Sequence, residues 1–306
     1  MAVLLTGAED THRDTAAAVD RFFAYARGQG LGLTLRRGAD ARGHPVAVAA
    51  LAGPGKAAVV LCSPLADAAA GAAAAEALRG LAAGLPPGSV RVAQALVETD
   101  RPHERAAFQA AGYESLATLV YLAGSVGDAA RGGGGASGPL RLAGVALGEE
   151  TWSEAAAPRF AEAVEASYEG TLDCPGLVGR RPTAEVLDGH RAAGGPGAFA
   201  PRRWRVFSDE WGPVAVLLLA RLPHEPTLEV VYLGVAPRAR GRGLGRALLE
   251  RARAEAQRAG AERVALAADA ANTPALKLYR SAGFRTLQRR FALACFLDAG
   301  PASGTA

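Results

Sequence analysis

A run of glycines near the middle of the chain limits the architectures open to it. Gly127-Asp128-Ala129-Ala130-Arg131-Gly132-Gly133-Gly134-Gly135-Ala136-Ser137-Gly138-Pro139 holds no large apolar side chain. Ordering such a stretch costs too much backbone entropy for it to lie inside a core. The 306 residues therefore read as two domains, 1–126 and 139–299, joined by a Gly-rich linker over 127–138 and followed by a flexible tail over 300–306. The two parts resemble each other near their ends. Phe108-Gln109-Ala110-Ala111-Gly112-Tyr113-Glu114-Ser115-Leu116 matches Tyr279-Arg280-Ser281-Ala282-Gly283-Phe284-Arg285-Thr286-Leu287 at a constant offset of 171. In each, a helix stops on a glycine suited to the left-handed position after its last turn, and an aromatic then opens an apolar strand. Position-specific agreement of this kind points to a duplication.

The pattern along the second part is that of an α/β domain with a mixed sheet. It predicts a strand near 140–146, a helix over 153–168, a helix near 183–193 and strands near 203–207 and 213–220. A strongly β-prone run follows at Leu228–Val235. Next come a helix over 243–259 stopped by Gly260, a strand over 263–268, and a helix beginning at Pro274 with Asn272 or Thr273 as its cap. A looser copy of the strand-helix-strand order runs through 57–62, 66–83 and 90–97.

Composition excludes several classes. Hydrophobic residues at 50% and charged residues at 21% rule out wholesale disorder. No apolar run reaches the ~20 residues of a membrane span, and the start lacks the basic region of a signal peptide, so no membrane partner is expected. Cys62, Cys174 and Cys295 are odd in number and far apart, forming neither a disulfide framework nor a zinc pattern, which fits a reduced, cytoplasmic setting. His12, His44, His103, His190 and His224 show no metal spacing. A formal charge of +4 gives no support to a nucleic-acid partner.

The segment that carries chemistry is Leu228-Glu229-Val230-Val231-Tyr232-Leu233-Gly234-Val235-Ala236-Pro237-Arg238-Ala239-Arg240-Gly241-Arg242-Gly243-Leu244-Gly245-Arg246: a strand, a tight Arg/Gly turn, a helix. Backbone N–H groups at a helix start are unpaired donors at the positive end of the dipole, and glycine lets a phosphate approach them. The dinucleotide fingerprint fails because Arg246 occupies its third glycine position, and no Gly-Lys-Ser/Thr of a P-loop follows.

This segment resembles the acyl-CoA-binding motif of the GNAT acetyltransferase superfamily, Arg/Gln-x-x-Gly-x-Gly/Ala, supplied here by Arg240-Gly241-Arg242-Gly243-Leu244-Gly245. A second family signature stands at Asp269-Ala270-Ala271-Asn272-Thr273-Pro274-Ala275-Leu276-Lys277-Leu278-Tyr279-Arg280-Ser281-Ala282-Gly283-Phe284. The duplicated arrangement resembles tandem GNAT proteins of the mycothiol synthase type, a likeness of architecture that does not carry the mycothiol substrate with it. The resemblance implies two GNAT-like domains, each a mixed, mostly antiparallel sheet flanked by helices. It implies acetyl transfer from acetyl-CoA to an amine of a small molecule or peptide by direct attack in a ternary complex, with no metal. The competing expectation is a non-catalytic acyl-CoA-binding regulatory module.

Residue by residue, the resemblance assigns the pyrophosphate to the turn Arg242–Arg246. It assigns the pantetheine arm to a gap between Leu233-Gly234-Val235 and the strand at 263–268, and polarisation of the thioester carbonyl to main-chain N–H near Val235. Tyr279 occupies the position of a tyrosine that assists the leaving thiolate, and is otherwise a core aromatic. Asn272 is a helix cap that also contacts the cofactor arm in relatives. Glu229 is either the base that takes the acceptor's proton or a solvated strand-edge charge. The loop 168–176 falls where relatives build the acceptor pocket, and Glu169 and Asp173 there suit an ammonium. The first part has Phe108 at the tyrosine position, Arg101 at the Asn272 position and no arginine in Ser63–Gly71, so it reads as a degenerate copy.

Overall fold

The computed structural model describes residues 26, 28, 30–127, 138–193, 195, 197–222 and 225–297. The linker assigned to 127–138 lies, but for its two ends, outside the described residues, as does the tail at 300–306. The chain divides into two compact units, Met1–Thr118 with Arg289–Ala306, and Leu119–Gln288. The division therefore does not follow the glycine-rich stretch.

The first unit contains strands β1 (Gly32–Ala39), β2 (Pro45–Gly53), β3 (Ala57–Cys62) and β4 (Val92–Glu98) with helices α1 (Ala68–Ala83) and α2 (Pro102–Ala110). Strand β5 (Glu114–Ser125) begins in this unit and ends in the second. The second unit holds β6 (Arg141–Leu142), β7 (Val145–Ala146), β8 (Gly148–Thr151), α3 (Ala157–Tyr168), α4 (Thr183–Ala192), β9 (Phe199–Asp209), β10 (Gly212–Arg221), β11 (Thr227–Val235), α5 (Leu244–Arg258), β12 (Arg263–Asp269) and α6 (Thr273–Ser281). Strand β13 (Arg285–Phe296) begins here and ends in the first unit.

Each unit is thus completed by a strand from the other part of the sequence. In the first, β13 pairs antiparallel with β4 from Arg290↔Glu98 to Phe296↔Val92. In the second, β5 pairs antiparallel with β12 from Arg263↔Ser125 to Asp269↔Leu119. The duplication is visible in the bounds. Adding 171 to β4, α2 and β5 gives the limits of β12, α6 and β13. Among the described residues, each unit also shows one parallel pair beside its antiparallel ones: β3 with β4 at Ala57↔Val92 to Val59↔Gln94, and β11 with β12 at Thr227↔Arg263 to Glu229↔Ala265.

Strand β10 is buried along nearly its whole length because the sheet of the second unit is covered on both faces. Leu217 and Leu219 join a cluster with Leu248 and Leu249 of α5, Leu276 of α6, Leu122 of β5 and Phe284. Val216 and Leu218, pointing the other way by the two-residue period of a strand, join Trp152, Phe160, Trp204 and Leu187. In the first unit, α1 packs Ala70, Ala74, Leu78 and Leu81 with Val48, Val60, Phe108 and Leu293.

Two sequence expectations change here. Residues 140–146 are not one strand but a two-residue hairpin, β6–β7, turned at Ala143 (φ 51) and Gly144 (φ 86), the left-handed pair that a tight hairpin needs. The helix expected from Ser153 starts at Ala157. Ser153 Oγ instead accepts from Ala156 N at 3.1 Å, a local bond that competes with helix.

Strand exchange predicts where damage is felt. Leu122→Ala, at a side chain fully removed from solvent, is expected to cost about 2–5 kcal/mol in chemical denaturation. Its hydrogen-exchange signature should fall on Val264 and Leu266 of β12, not on β2 and β3. Faster exchange confined to the first unit would contradict the pairing.

Candidate active site

The second unit opens a gap in its own sheet. β11 and β12 pair only as far as Glu229↔Ala265, yet β11 runs on to Val235 and β12 to Asp269. The divergence coincides with a bulge. Leu218 faces Tyr232 and Leu219 faces Val230, leaving Val231 with no residue opposite on β10, and such an extra residue bends and twists its strand.

At the end of β11 the chain turns through Pro237–Ala239 into α5. Gly243 holds the cap position of α5 at φ 84, and no side chain caps the helix. Gly241 is also left-handed at φ 72. A Cβ at either glycine would meet no atom within 4 Å, so their requirement is conformational, and the space before the helix is open. The N–H groups of the first turn, through Leu244, Gly245 and Arg246, face that space as unpaired donors. The residues present thus suit a pyrophosphate.

The arginines of this segment divide in their roles. Arg242 is exposed. Arg246 donates to Ser281 Oγ at 2.8 Å, and Arg238 pairs with Asp209 at 2.8 Å. Arg240 turns inward: Nε donates to Val235 O at 3.0 Å, Nη2 to Ser167 O at 2.8 Å and Nη1 to Gly170 O at 3.3 Å. Its guanidinium is thereby committed to three main-chain carbonyls. The other motif positions also have packing roles. Leu244 is buried in the core. A Cβ on Gly245 would come within 2.8 Å of Leu278 Cδ2, and one on Gly234 within 2.7 Å of Ser167 Cβ. Leu233 and Val235 pack against the same cluster that contains Leu244 and Tyr279.

Glu229 stands at the last paired position before the gap. Neighbouring strands flank β11 on both sides, so Glu229 is not a strand-edge charge. It is half-buried, and burial raises its pKa above the ordinary carboxylate value, the direction a proton acceptor for an ammonium needs. Asn272 caps α6, its Oδ1 accepting from Ala275 N at 3.3 Å. Tyr279 is buried on that helix beside Phe284, ring centroids 6.1 Å apart. Burial, and then the charge of Asp173, push its pKa well above the phenol's usual value. A hydroxyl held so firmly protonated donates a hydrogen bond more readily than it releases its proton.

Between the end of α3 and the start of α4, a cleft of about 510 Å³ is lined by Glu165, Tyr168, Glu169, Val178 and Arg181 among others. Glu169 is legible in the sequence as a residue of this region, whereas Ser167, Tyr232 and His190 are not. Ser167 and Tyr232 share a hydrogen bond of 2.7 Å. His190 lies 5.5 Å from the Tyr232 ring, and burial, then the nearby Arg181, lower its pKa to about 4. Gly234 in a β-prone run was the one available signal, because an unexplained glycine inside a strand marks a close approach.

The first unit builds the equivalent places differently. Asp67 caps α1, accepting from Ala70 N at 3.0 Å, and that bond holds its pKa down. The buried Glu104 accepts from Leu65 N at 3.0 Å. Arg101 precedes α2 without capping it. Phe108 is buried edge-on to Tyr113 at 5.0 Å. Among the described residues no group of three or more His, Cys, Asp or Glu gathers in a metal-holding arrangement, and no helix is long and apolar enough to cross a membrane.

Residues 179–284 match the model of the acetyltransferase (GNAT) family. The chain is 37% identical over 102 residues to the mycothiol acetyltransferase of Beutenbergia cavernae, covering 33% of this chain and 34% of that one. It is 48% identical over 62 residues to the mycothiol acetyltransferase of Acidothermus cellulolyticus, covering 20% and 19%. The matches thus span about a third or less of these relatives' length. Among solved structures, a GCN5-related N-acetyltransferase from Sphaerobacter thermophilus superposes with a TM-score of 0.51 at 18% identity, covering 85% of this chain and 79% of its own. One from Kribbella flavida gives 0.50 at 16%, covering 95% and 98%. At these identities the likeness concerns the fold, and it extends over both units. Over residues 179–284 the chain is thus similar to the acetyltransferase (GNAT) family.

Proposed function

We propose that this chain is an N-acetyltransferase that moves an acetyl group from acetyl-CoA to an amine by direct attack, at a single site in its second unit. The observation that carries the reading is the conjunction of an uncapped, glycine-started α5 with Glu229 at the mouth of the gap between β11 and β12. Acetyl-CoA, when bound, supplies the acyl group as a thioester. The first-turn N–H groups of α5, with Arg242, hold the pyrophosphate. Main-chain N–H near Val235, freed from pairing with β12, serves the carbonyl oxygen. Glu229 takes the proton of the incoming ammonium, directly or through water, because an alkylammonium near pKa 10.4 has no lone pair for attack. Tyr279 steadies the departing sulfur with its hydroxyl hydrogen bond. The name mycothiol acetyltransferase, borne by the relatives above, supports a small-molecule amine as the acceptor over a peptide. A panel of amino sugars, polyamines, amino acids and peptides incubated with acetyl-CoA tests the reading. An acetylated product supports it, and CoA binding with no product from any amine supports a regulatory module instead.

Two sets of variants follow. Gly243→Val is expected to weaken CoA binding at least about a hundredfold by calorimetry, since a branched Cβ blocks phosphate approach. Gly260→Val is its control: Gly260 is likewise left-handed, at φ 64, with nothing within 4 Å, so it carries similar strain and should leave CoA affinity unchanged. Equal loss in both would assign the effect to strain alone.

The pH–rate profile reads Glu229. Its raised pKa places the acid limb of kcat/KM above the ordinary glutamate value of about 4.3, with activity rising as the carboxylate ionises. Glu229→Gln should remove that limb and lower the rate roughly 10²–10⁴-fold, with recovery toward the acceptor's own pKa. Tyr279→Phe should lower kcat with CoA affinity kept. A Glu229→Gln defect constant to high pH would argue for a binding role.

A further inference from the structure

The segment Ser167–Cys174 is tied to both sides of the gap in the sheet. On the β11 side, Ser167 bonds Tyr232 at 2.7 Å, and Arg240 holds the carbonyls of Ser167 and Gly170. On the β12 side, the strap and Asp269 form a pair of hydrogen bonds. Asp173 Oδ1 accepts from Asp269 N at 2.7 Å, and Asp269 Oδ2 accepts from Cys174 N at 3.3 Å. Asp269 is buried, and its other oxygen takes Ala271 N at 2.9 Å. That bond anchors the pair to the turn that Asn272 N closes on Asp269 O at 2.9 Å. Cys174 is held in the left-handed region at φ 45, a conformation a non-glycine residue keeps only where its surroundings enforce it. The segment is a strap across the mouth of the gap, latched at Asp173.

The strap's flanks form one wall of the 510 Å³ cleft between α3 and α4, with Tyr168 and Glu169 near its start and Leu177 and Val178 just past its end. We propose that Asp173 is a positioning residue for the amine acceptor: through its hydrogen bond to Asp269 it fixes the strap, and so the cleft wall, against the end of β12. The inference rests on the functional reading above. The carboxylate is needed as a hydrogen-bond acceptor, not as a charge facing the ammonium. A wall displaced by about 1 Å costs up to roughly 10²-fold in productive geometry.

Two variants separate these roles. Asp173→Ala, at a residue with an exposed flank, deletes the latch. Asp173→Asn keeps an oxygen able to accept the Asp269 N–H but removes the charge. The expected result is a tenfold or greater rise in acceptor KM for Asp173→Ala, with CoA affinity unchanged, and near-complete rescue in Asp173→Asn. Amide exchange at Cys174 and Asp269, measured without substrate, should quicken in Asp173→Ala and not in Asp173→Asn. An unchanged acceptor KM in Asp173→Ala would overturn the proposal, as would a parallel loss of CoA affinity. Equal impairment in Asp173→Asn would overturn it in favour of a direct charge contact. A wild-type chain that acetylates no amine defeats the functional reading, and the acceptor role with it. Exchange that stays slow in Asp173→Ala defeats the latch itself.

Discussion

The arrangement depends on the early end of one parallel strand pair. β11 and β12 share three residue pairs and then separate, and β11 bends at Val231, where an extra residue breaks register with β10. Parting strands leave backbone groups without a sheet partner, a costly situation unless something else meets them. Here the parting places Leu233–Val235, the α5 start and Glu229 around one opening, with the Tyr279 helix leading out of β12. The core beneath holds the opening in shape. Leu244, Leu276 and Tyr279 are buried in one cluster with Leu217 and Leu228, so the elements bearing the motif cannot shift independently of the sheet.

The first unit keeps the architecture and changes the chemistry. Its parallel pair ends at Val59↔Gln94, and the matching position in the second unit is Glu229↔Ala265. An exposed valine therefore stands where the proton acceptor would be. At the helix start, a carboxylate from Asp67 takes the N–H of Ala70, and the buried Glu104 takes that of Leu65. The Ala70 N–H, a first-turn donor of the kind left open in the second unit, is here taken by the Asp67 carboxylate, itself paired with Arg42 at 3.1 Å, so it is not available to an anion. Phe108 lacks the hydroxyl of Tyr279. We infer that duplication preserved the fold, which rests on apolar pattern, while the site residues of one copy were replaced.

Local features were legible in the sequence. The uncapped α5 follows from glycines that alone adopt a left-handed backbone cheaply, and Asn272 with Pro274 marks the start of α6. The repeat offset implies that an apolar strand follows the aromatic in both parts, as β5 and β13 do. It did not say which sheet each strand joins. The strands agree at Leu116 and Leu287, Leu122 and Leu293, and Ala123 and Ala294, which marks both as sheet-forming without naming the sheet, and long-range pairing decides between them. The role of Arg240 was equally hidden. The motif suggests a cation for phosphate, whereas two of the three carbonyls it binds, those of Ser167 and Gly170, lie at and just past the end of α3, some seventy residues earlier in the chain. Ser167 carries no signal in the sequence, and Asp269 stands there only as the first residue of the second signature, because their importance lies in what folding brings beside them. The sequence around Glu229 does not reveal that β11 has a neighbouring strand on each side.

The central claim is that only the second unit receives the cofactor, because only there is a helix start left open to a pyrophosphate. Calorimetric titration of the full chain with CoA measures this directly. The account predicts a stoichiometry of one CoA per chain. Two CoA per chain, with the second mapped to the Asp67 helix start, would contradict it.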